Sequence, residues 1–342
     1  MDRDTVRCGR PKNRRAIARK IRELEAEINQ SPPVTSGYRP KWHRQCVEWS
    51  SRHSADVQAA AYEAATKLVG VDWGESYPDE GWAMVRGAVI SLAYDCWAEA
   101  HGMRGRGLAI AFPEAANEMR SAAEFFQALP LADLEPEHFG HVHETLVDFG
   151  IVEGKVLNRS GRRRLGAHFT PPPMARHVAW TTIKPLLSCM ATDGSGLPVA
   201  SRVLNMKICD PACGAGAFGL ALVRLLAPMV KRSRGCSLEQ SKRLVAINVF
   251  RGVDKDRYAV LACKLALTLE CRADAMPSTW LDHAVKHGDA LVGLSSEQTR
   301  AFHWKREANP DLYIHAAYDG EIDAGARRAI ALQQSLSEMA VT

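Results

Sequence analysis

The chain contains 342 residues, 46% of them hydrophobic and 24% charged, with a formal net charge of +5. That length gives room for one large or two moderate domains with a proper core, and so modest a charge is not in itself evidence of nucleic-acid binding. No segment reaches the roughly 18 apolar residues of a membrane-spanning helix, and the first residues form a charged arm rather than a signal peptide. The nine cysteines include no Cys-x-x-Cys pair, so neither a zinc site nor a disulfide framework is indicated. We expect a cytoplasmic protein.

Residues 1–30 are predicted to form a basic arm with one helix. Nine lysines and arginines lie between Arg3 and Arg22. Apolar residues recur at helical spacing from Ile17 to Ile28, which predicts a helix over residues 14–29 with a single apolar stripe. A surface helix packed on its own domain is the default interpretation, and docking onto a partner or onto DNA is the alternative.

Residues 31–135 are predicted to form a helical domain. The segment is rich in alanine and tryptophan, and helical periodicity is clear over residues 83–98. Large aromatic side chains in such a segment mostly belong to the core. The tryptophans concerned are Trp42, Trp49, Trp73, Trp82 and Trp97. The pattern assigns no specific role to this domain.

From residue 136 to residue 342 the pattern predicts an α/β domain, beginning with a helix over residues 138–148. Its most informative segment is a short apolar strand that ends at Asp210, followed by Pro211 and a glycine-rich bend with Gly214 and Gly216. An apolar helix candidate follows at once. A strand–loop–helix unit of this kind places backbone at the carboxyl edge of a parallel sheet, where glycines allow a ligand to approach the main chain closely. The segment therefore predicts a loop that binds a nucleotide-type cofactor.

A dinucleotide cofactor is one alternative for this loop, because Gly214, Gly216 and Gly219 satisfy the Gly-x-Gly-x-x-Gly pattern. That pattern requires an acidic residue about 20 positions further on, after the second strand, to hold the ribose hydroxyls. Here the second strand is predicted over residues 247–254, and its acid, Asp254, follows Gly216 by 38 residues. The polar segment between them is predicted to be a loop with one or two helical turns. The spacing therefore argues against a dinucleotide.

Four segments resemble, in order, the motifs of the gamma-class N6-adenine DNA methyltransferases of restriction-modification and phage-defence systems. Residues 166–172 (Gly-Ala-His-Phe-Thr-Pro-Pro) resemble the motif that precedes the cofactor loop, and residues 210–218 (Asp-Pro-Ala-Cys-Gly-Ala-Gly-Ala-Phe) resemble the loop itself. Residues 252–260 resemble the second cofactor motif and residues 287–291 the third. The resemblance covers roughly residues 138–293. It implies a Rossmann-like methyltransferase fold, an incomplete parallel sheet with helices on both faces, preceded by the helical domain.

The resemblance also implies S-adenosylmethionine as cofactor and double-stranded DNA as substrate. Asp254 would accept hydrogen bonds from the ribose diol, and Asp289 would meet the exocyclic amine of the adenine ring, which are bonds that carboxylates form well. The glycine-rich backbone and the following helix N-terminus would hold the polar methionine end. The implied cofactor-binding residues are His168, Phe169, Thr170, Pro171, Asp210, Pro211, Ala212, Cys213, Gly214, Gly216, Phe218, Asp254, Lys255, Asp289 and Ala290.

The family's catalytic motif, Asn/Asp/Ser-Pro-Pro-aromatic, is missing after Asp289. The nearest candidate, at residues 309–312 (Asn-Pro-Asp-Leu), lacks both the second proline and the aromatic residue. No catalytic residue is therefore assigned. We expect this chain to supply the cofactor site and a second chain to supply the catalytic motif and target recognition, as in a split gene or a truncated product, with the single chain inactive.

A cluster of arginines directly precedes the Gly-Ala-His-Phe-Thr-Pro segment and is predicted to contact DNA or a partner. Such clusters can follow the phosphates of a nucleic acid. The cluster consists of Arg159, Arg162, Arg163 and Arg164. Two other functions stay open at this stage: a catalytically inactive remnant or partner-binding module, and, with weaker support, an NAD-dependent oxidoreductase. No metal site is predicted.

Overall fold

The computed structural model describes residues 53–69, 71, 81–105, 115–152, 155–158, 168–190 and 198–292, with single positions at 45, 49, 324, 325, 327, 328, 331 and 335. Three sequence predictions lie outside these residues: the helix over residues 14–29, the core positions of Trp42 and Trp73, and the arginine cluster at residues 159–164. Within the described residues the protein is mixed α/β and mostly helical, with two small sheets.

The amino-terminal part is helical, as the sequence predicts. Its helices are α1 (Ser54–Leu68), α2 (Gly81–Ala100), α3 (Ala116–Gln127) and α4 (Phe139–Asp148). The predicted helices over residues 83–98 and 138–148 are thus confirmed as α2 and α4. Trp97 of α2 is fully buried between the rings of Phe126 and Phe139, with ring centroids 6.4 and 5.1 Å away. The expectation that tryptophans build this core therefore holds for Trp97.

A short antiparallel hairpin connects the helices to the rest of the chain. It pairs β1 (Phe149–Val152) with β2 (Lys155–Asn158). Two helices follow, α5 (Pro172–Ser188) and α6 (Ala200–Leu204). Pro172 occupies the first turn of α5, where the missing N–H of proline has no cost and its fixed φ suits a helix start. The Thr-Pro segment thus leads directly into a helix.

The second sheet is parallel and contains the predicted cofactor loop. Its strands are β3 (Ile208–Asp210), β4 (Phe250–Asp254) and β5 (Val285–His287), in the order β3-β4-β5. The connecting helices are α7 (Ala217–Arg234), α8 (Leu238–Asn248) and α9 (Arg257–Glu270). Because the strands are parallel, Asp210, Asp254 and the residues after His287 all reach the same edge of the sheet. That edge is the usual place for a ligand in α/β proteins.

One secondary-structure prediction is wrong in this region. The predicted strand from Ile247 begins only at Phe250, and the segment before it forms α8 rather than a loop with one or two helical turns. Ser237 starts this helix with a reciprocal capping box: its hydroxyl accepts the Gln240 N–H, and the Gln240 side chain accepts the Ser237 N–H. Ile247 is fully buried on the inner side of the helix. The extra helix accounts for the long separation between Gly216 and Asp254.

The two faces of the parallel sheet differ. On one face Phe250, Gly252 and Val285 are buried, and the Phe250 ring packs on Gly219 of α7 so closely that a Cβ there would approach the ring to 2.8 Å. On the other face Cys209 and Lys286 are exposed among the described residues. Parallel sheets usually have both faces covered. The arrangement with helices on both faces stays a prediction.

One continuous hydrophobic core joins the helical part to the α/β part. Its buried residues run from Val57 of α1 to Val285 of β5, and α2 and α4 both pack against α9. No helix among the described residues has both the length and the apolar character needed to cross a membrane. The predicted division at residue 135 stays a prediction, but the described helices on either side of it share this core.

Candidate functional site

The glycine loop between β3 and α7 is bonded to the neighbouring strand by its main chain. Cys213 donates its N–H to the Val253 carbonyl at 2.9 Å, and Gly216 donates to the Cys213 carbonyl at 2.8 Å. Gly214 and Gly216 both have positive φ, +52° and +89°. A side chain at Gly216 would collide with the Cys263 sulfur at 2.7 Å, whereas the space beside Gly214 is open. Glycine is therefore required at 216 for packing, while the open side of Gly214 leaves room for a ligand.

Asp254 is fixed against this loop at the end of β4. Its Oδ2 accepts the Gly214 N–H at 2.9 Å and its Oδ1 accepts the Asp256 N–H at 2.8 Å. A carboxylate offers about four lone-pair positions, so these two bonds leave acceptor capacity on both oxygens. Asp254 is only half-buried. It can therefore accept further hydrogen bonds from hydroxyl groups of a ligand at this edge.

Asp210 presents a buried oxygen that lacks a partner among the described residues. Its Oδ1 accepts the Ala212 N–H at 3.2 Å, but Oδ2 is buried and forms no hydrogen bond. Burial raises the pKa of this carboxyl above its ordinary value, and the negative charge of Asp254 adds to the effect. A buried carboxylate oxygen without a partner is costly. A ligand that brings a cationic donor to this point would remove that cost.

Asp289 lies at the same edge, just after β5. Its Oδ1 accepts the N–H groups of Leu291 and Val292 at 2.8 and 3.2 Å, and these bonds lower the pKa of the carboxyl. The Gly288 N–H donates to the Asp254 carbonyl at 2.9 Å, which joins the two acidic segments. Lys255 and Ala290 are exposed beside them. The structure thus brings Asp210, Asp254 and Asp289 to one edge, as their positions after consecutive strands predict.

The Thr-Pro segment is held by α4. Phe169 donates its N–H to Glu144 Oε1 at 2.6 Å, and its ring packs on Gly140, where a Cβ would lie only 2.1 Å from the ring. Trp49 stacks on the same ring at 5.0 Å. His168 is exposed, and Thr170 and Pro171 are half-buried. The helix that this segment starts, α5, packs along α7, the helix that follows the glycine loop.

The remaining predicted positions differ in burial. Cys213 is buried below the loop, Pro211 and Ala212 are exposed at its tip, and Phe218 is half-buried against the hydrophobic core. Cys209, on the strand before the loop, is exposed. Successive side chains of a strand point to opposite faces of the sheet, and Cys209 lies on the exposed face of β3.

Sequence analysis missed Asp256, which is tied to the site by its backbone. It caps α9 by accepting the Tyr258 N–H at 2.9 Å and also bonds Arg86 and His143. A usable signal was present, because an aspartate just before an apolar helical run is a typical N-cap. The described residues contain no group of three or more histidines, cysteines and acids placed to hold a metal ion.

Comparison with known proteins gives one informative relative. The chain is similar to a protein of Methanocaldococcus jannaschii that is named a "putative type II restriction enzyme and methyltransferase", with 24% identity over 194 residues. The similar region covers 47% of this chain but only 15% of that relative's length. No family model matches the chain. No solved structure matches it.

Proposed function

We propose that this chain is the S-adenosylmethionine-binding part of a DNA methyltransferase of a restriction-modification or phage-defence system, specific for the N6 amine of adenine. The observation that carries the proposal is the loop of residues 210–216, closed against Asp254 by the Gly214 hydrogen bond at the carboxyl edge of a parallel sheet. The similarity to the archaeal restriction enzyme and methyltransferase supports it. The four motifs of the sequence support it independently.

The acids of the site match the polar groups of this cofactor. The Asp254 carboxylate would accept from the ribose diol with its remaining lone pairs, and Asp289 from the adenine amine. The buried Asp210 Oδ2 would accept from the ammonium group of the methionine end. The first N–H groups of α7 and the open space at Gly214 would receive the carboxylate of that end. The rest of the cofactor site would be lined by Phe218, Lys255, Ala290 and residues 168–171.

The chemistry proposed for the complete enzyme is a direct transfer. The bound cofactor supplies an electrophilic methyl group on a sulfonium. The residues of this chain hold the cofactor in one orientation, and the reaction requires that the amine of an extruded adenine be placed beside it. The motif that binds this amine does not occur after Asp289 in the 342 residues. We propose that this chain works together with a second chain that carries the motif and target recognition, and that Arg159, Arg162, Arg163 and Arg164 contact the DNA or that second chain.

Isothermal titration calorimetry tests the cofactor assignment. We expect the purified chain to bind S-adenosylmethionine and its product S-adenosylhomocysteine with 1:1 stoichiometry and to show no heat with NAD. Preferential binding of NAD would mean an oxidoreductase, and binding of neither would mean a remnant whose pocket has lost its function. DNA methylation by the purified chain alone, followed with a radiolabelled methyl group, would overturn the need for a further polypeptide.

The affinity for S-adenosylmethionine should fall as the pH is lowered from neutral through the raised pKa of Asp210, because a proton on this carboxyl competes with the cofactor's ammonium group. The pKa of the Asp210 carboxyl is raised in the free protein, and a bound ammonium group would lower that pKa. Binding therefore releases a proton, and the affinity falls as the proton concentration rises. Calorimetry in buffers of different ionisation enthalpy would measure the release. In Asp210→Asn the affinity should be lower and nearly independent of pH over this range. An unchanged pH dependence in that variant would show that Asp210 does not meet the ammonium group.

A further inference from the structure

Helix α4 contacts both segments of the proposed cofactor site through two neighbouring residues. His143 Nε2 lies 3.1 Å from Asp256 Oδ2, and Glu144 Oε1 accepts the Phe169 N–H at 2.6 Å. Neighbouring residues of an α-helix point about 100° apart, so one turn of α4 can reach two different segments. The side chains of His143 and Glu144 are buried, with 7% and 9% exposed.

Hydrogen bonds connect His143 through Asp256 to Asp254, the acid proposed to hold the ribose. Asp256 donates its N–H to Asp254 Oδ1, and Asp254 Oδ2 accepts from Gly214. Arg86 of α2 bonds the same Asp256 oxygen as His143 and lies over the Tyr258 ring, 4.3 Å from its centroid. A line of hydrogen bonds thus runs from α4 through Asp256 to the glycine loop.

The charge of Asp256 is stabilised by these partners. Burial alone would raise the pKa of its carboxyl, but the hydrogen bond from His143 and the guanidinium of Arg86 outweigh burial and hold the pKa well below the ordinary value. Since Asp256 is thereby held as a carboxylate with one orientation, its backbone N–H has a fixed direction towards Asp254.

The contact of Glu144 acts on the other segment. Its second oxygen lies 3.4 Å from His141 Nδ1, and His141 Nε2 lies 2.9 Å from Ser54 Oγ of α1. The Glu144 carboxylate is therefore oriented by the helical part of the protein. Gly140, one turn earlier on α4, leaves the space that the Phe169 ring fills. The backbone and the ring of Phe169 are both placed by this helix.

We propose that His143 and Glu144 are positioning residues, which fix the Thr-Pro segment and Asp254 relative to each other and so set the affinity of the site without touching the cofactor. This inference rests on the proposed function. It also gives the helical part a role that its sequence does not indicate: Ser54 of α1 contacts His141 of α4, and Arg86 of α2 bonds the same Asp256 carboxylate as His143.

Four variants and one control test the proposal. His143→Ala and Glu144→Ala should each weaken S-adenosylmethionine binding about tenfold in calorimetry, the loss expected for one buried hydrogen bond to a charged group. His143→Gln and Glu144→Gln should recover most of the affinity, because each glutamine can form the same bond as donor to Asp256 or as acceptor from Phe169. The control is Thr268→Val, which removes the buried bond from Trp280 to Thr268. It should lower the thermal midpoint but leave the affinity unchanged.

Equal affinity in the alanine variants and the wild type, with thermal midpoints lowered as in the control, would show that the two residues only stabilise the fold. Hydrogen exchange of the free protein separates this proposal from the cofactor assignment. His143→Ala should accelerate exchange in peptides with Gly214 and Asp256, and Glu144→Ala in peptides with Phe169, each leaving the other region unchanged. If the wild type binds no S-adenosylmethionine, the proposed function fails, and this exchange pattern alone decides whether α4 positions the two segments. A uniform change in both regions would contradict it.

Discussion

Replacement of Asp254 by asparagine should lower the proposed affinity for S-adenosylmethionine about 100-fold or more, since two hydrogen bonds to a charged group are at stake. An asparagine keeps the size of the side chain but has one acceptor oxygen instead of two and no charge. It can retain the bond from Gly214 or the bond from Asp256, not both. The ribose diol then meets a neutral and partly occupied acceptor. Calorimetry measures the loss of affinity for S-adenosylmethionine and for S-adenosylhomocysteine.

The matched control is Asp282→Asn. Asp282 lies before β5, at the opposite end of the sheet, and pairs with Lys264 at 2.6 Å. Its side chain is 49% exposed, so the loss of this pair should change stability little and affinity not at all. A thermal unfolding curve on each variant establishes that both are folded. If a folded Asp254→Asn protein binds S-adenosylmethionine with wild-type affinity, the Asp254 carboxylate does not form the proposed contact with the ribose.

The parts of the site that were predicted from the sequence are those with local signals. The loop of residues 210–216 was predicted because a strand, a proline and two glycines follow one another, and a positive φ at Gly214 and Gly216 agrees with the need for glycine. Asp254 and Asp289 were selected through the resemblance to the second and third cofactor motifs, and the parallel strands β4 and β5 bring them to one edge.

The residues of α4 that contact the segments of the site, and Asp256, could not be predicted from local signals. His143 and Asp256 are separated by 113 positions, and Glu144 and Phe169 by 25. The first pair depends on how α4 packs against α9 and the second on where α4 lies beside the segment before α5, and no periodicity of a single segment reveals either. The helix α8 was predicted too short, as one or two helical turns, for a different reason. Its sequence is polar on one side, and the capping box of Ser237 and Gln240, a local signal, was not used.

Replacement of Arg224 by alanine should destabilise the fold by about 3–5 kcal/mol, the cost of leaving buried charges without their partner. Arg224 of α7 bonds Glu137 through Nη1 and Nη2 and Glu270 through Nε and Nη2, and the two carboxylates are 2% and 8% exposed. Glu137 precedes α4 and Glu270 ends α9, so the guanidinium joins three helices. Urea unfolding at neutral pH, read by tryptophan fluorescence and circular dichroism, measures the change in the free energy of unfolding.

The pH dependence of the free energy of unfolding and a second variant separate the contribution of the Arg224 charge from the contribution of its packing. Burial raises the pKa of Glu137, and without the guanidinium this carboxyl should protonate more readily still, so the deficit of Arg224→Ala should shrink as the pH falls from about 7 towards 5. Removing the charges as well, in Arg224→Met with Glu137→Gln, should cost less than Arg224→Ala, although Lys242 still pairs with Glu270 at 2.7 Å. If the deficit of Arg224→Ala does not respond to pH, while the double variant, in which methionine replaces most of the aliphatic stem, is close to the wild type, the contribution of Arg224 lies in the packing of that stem rather than in its charge.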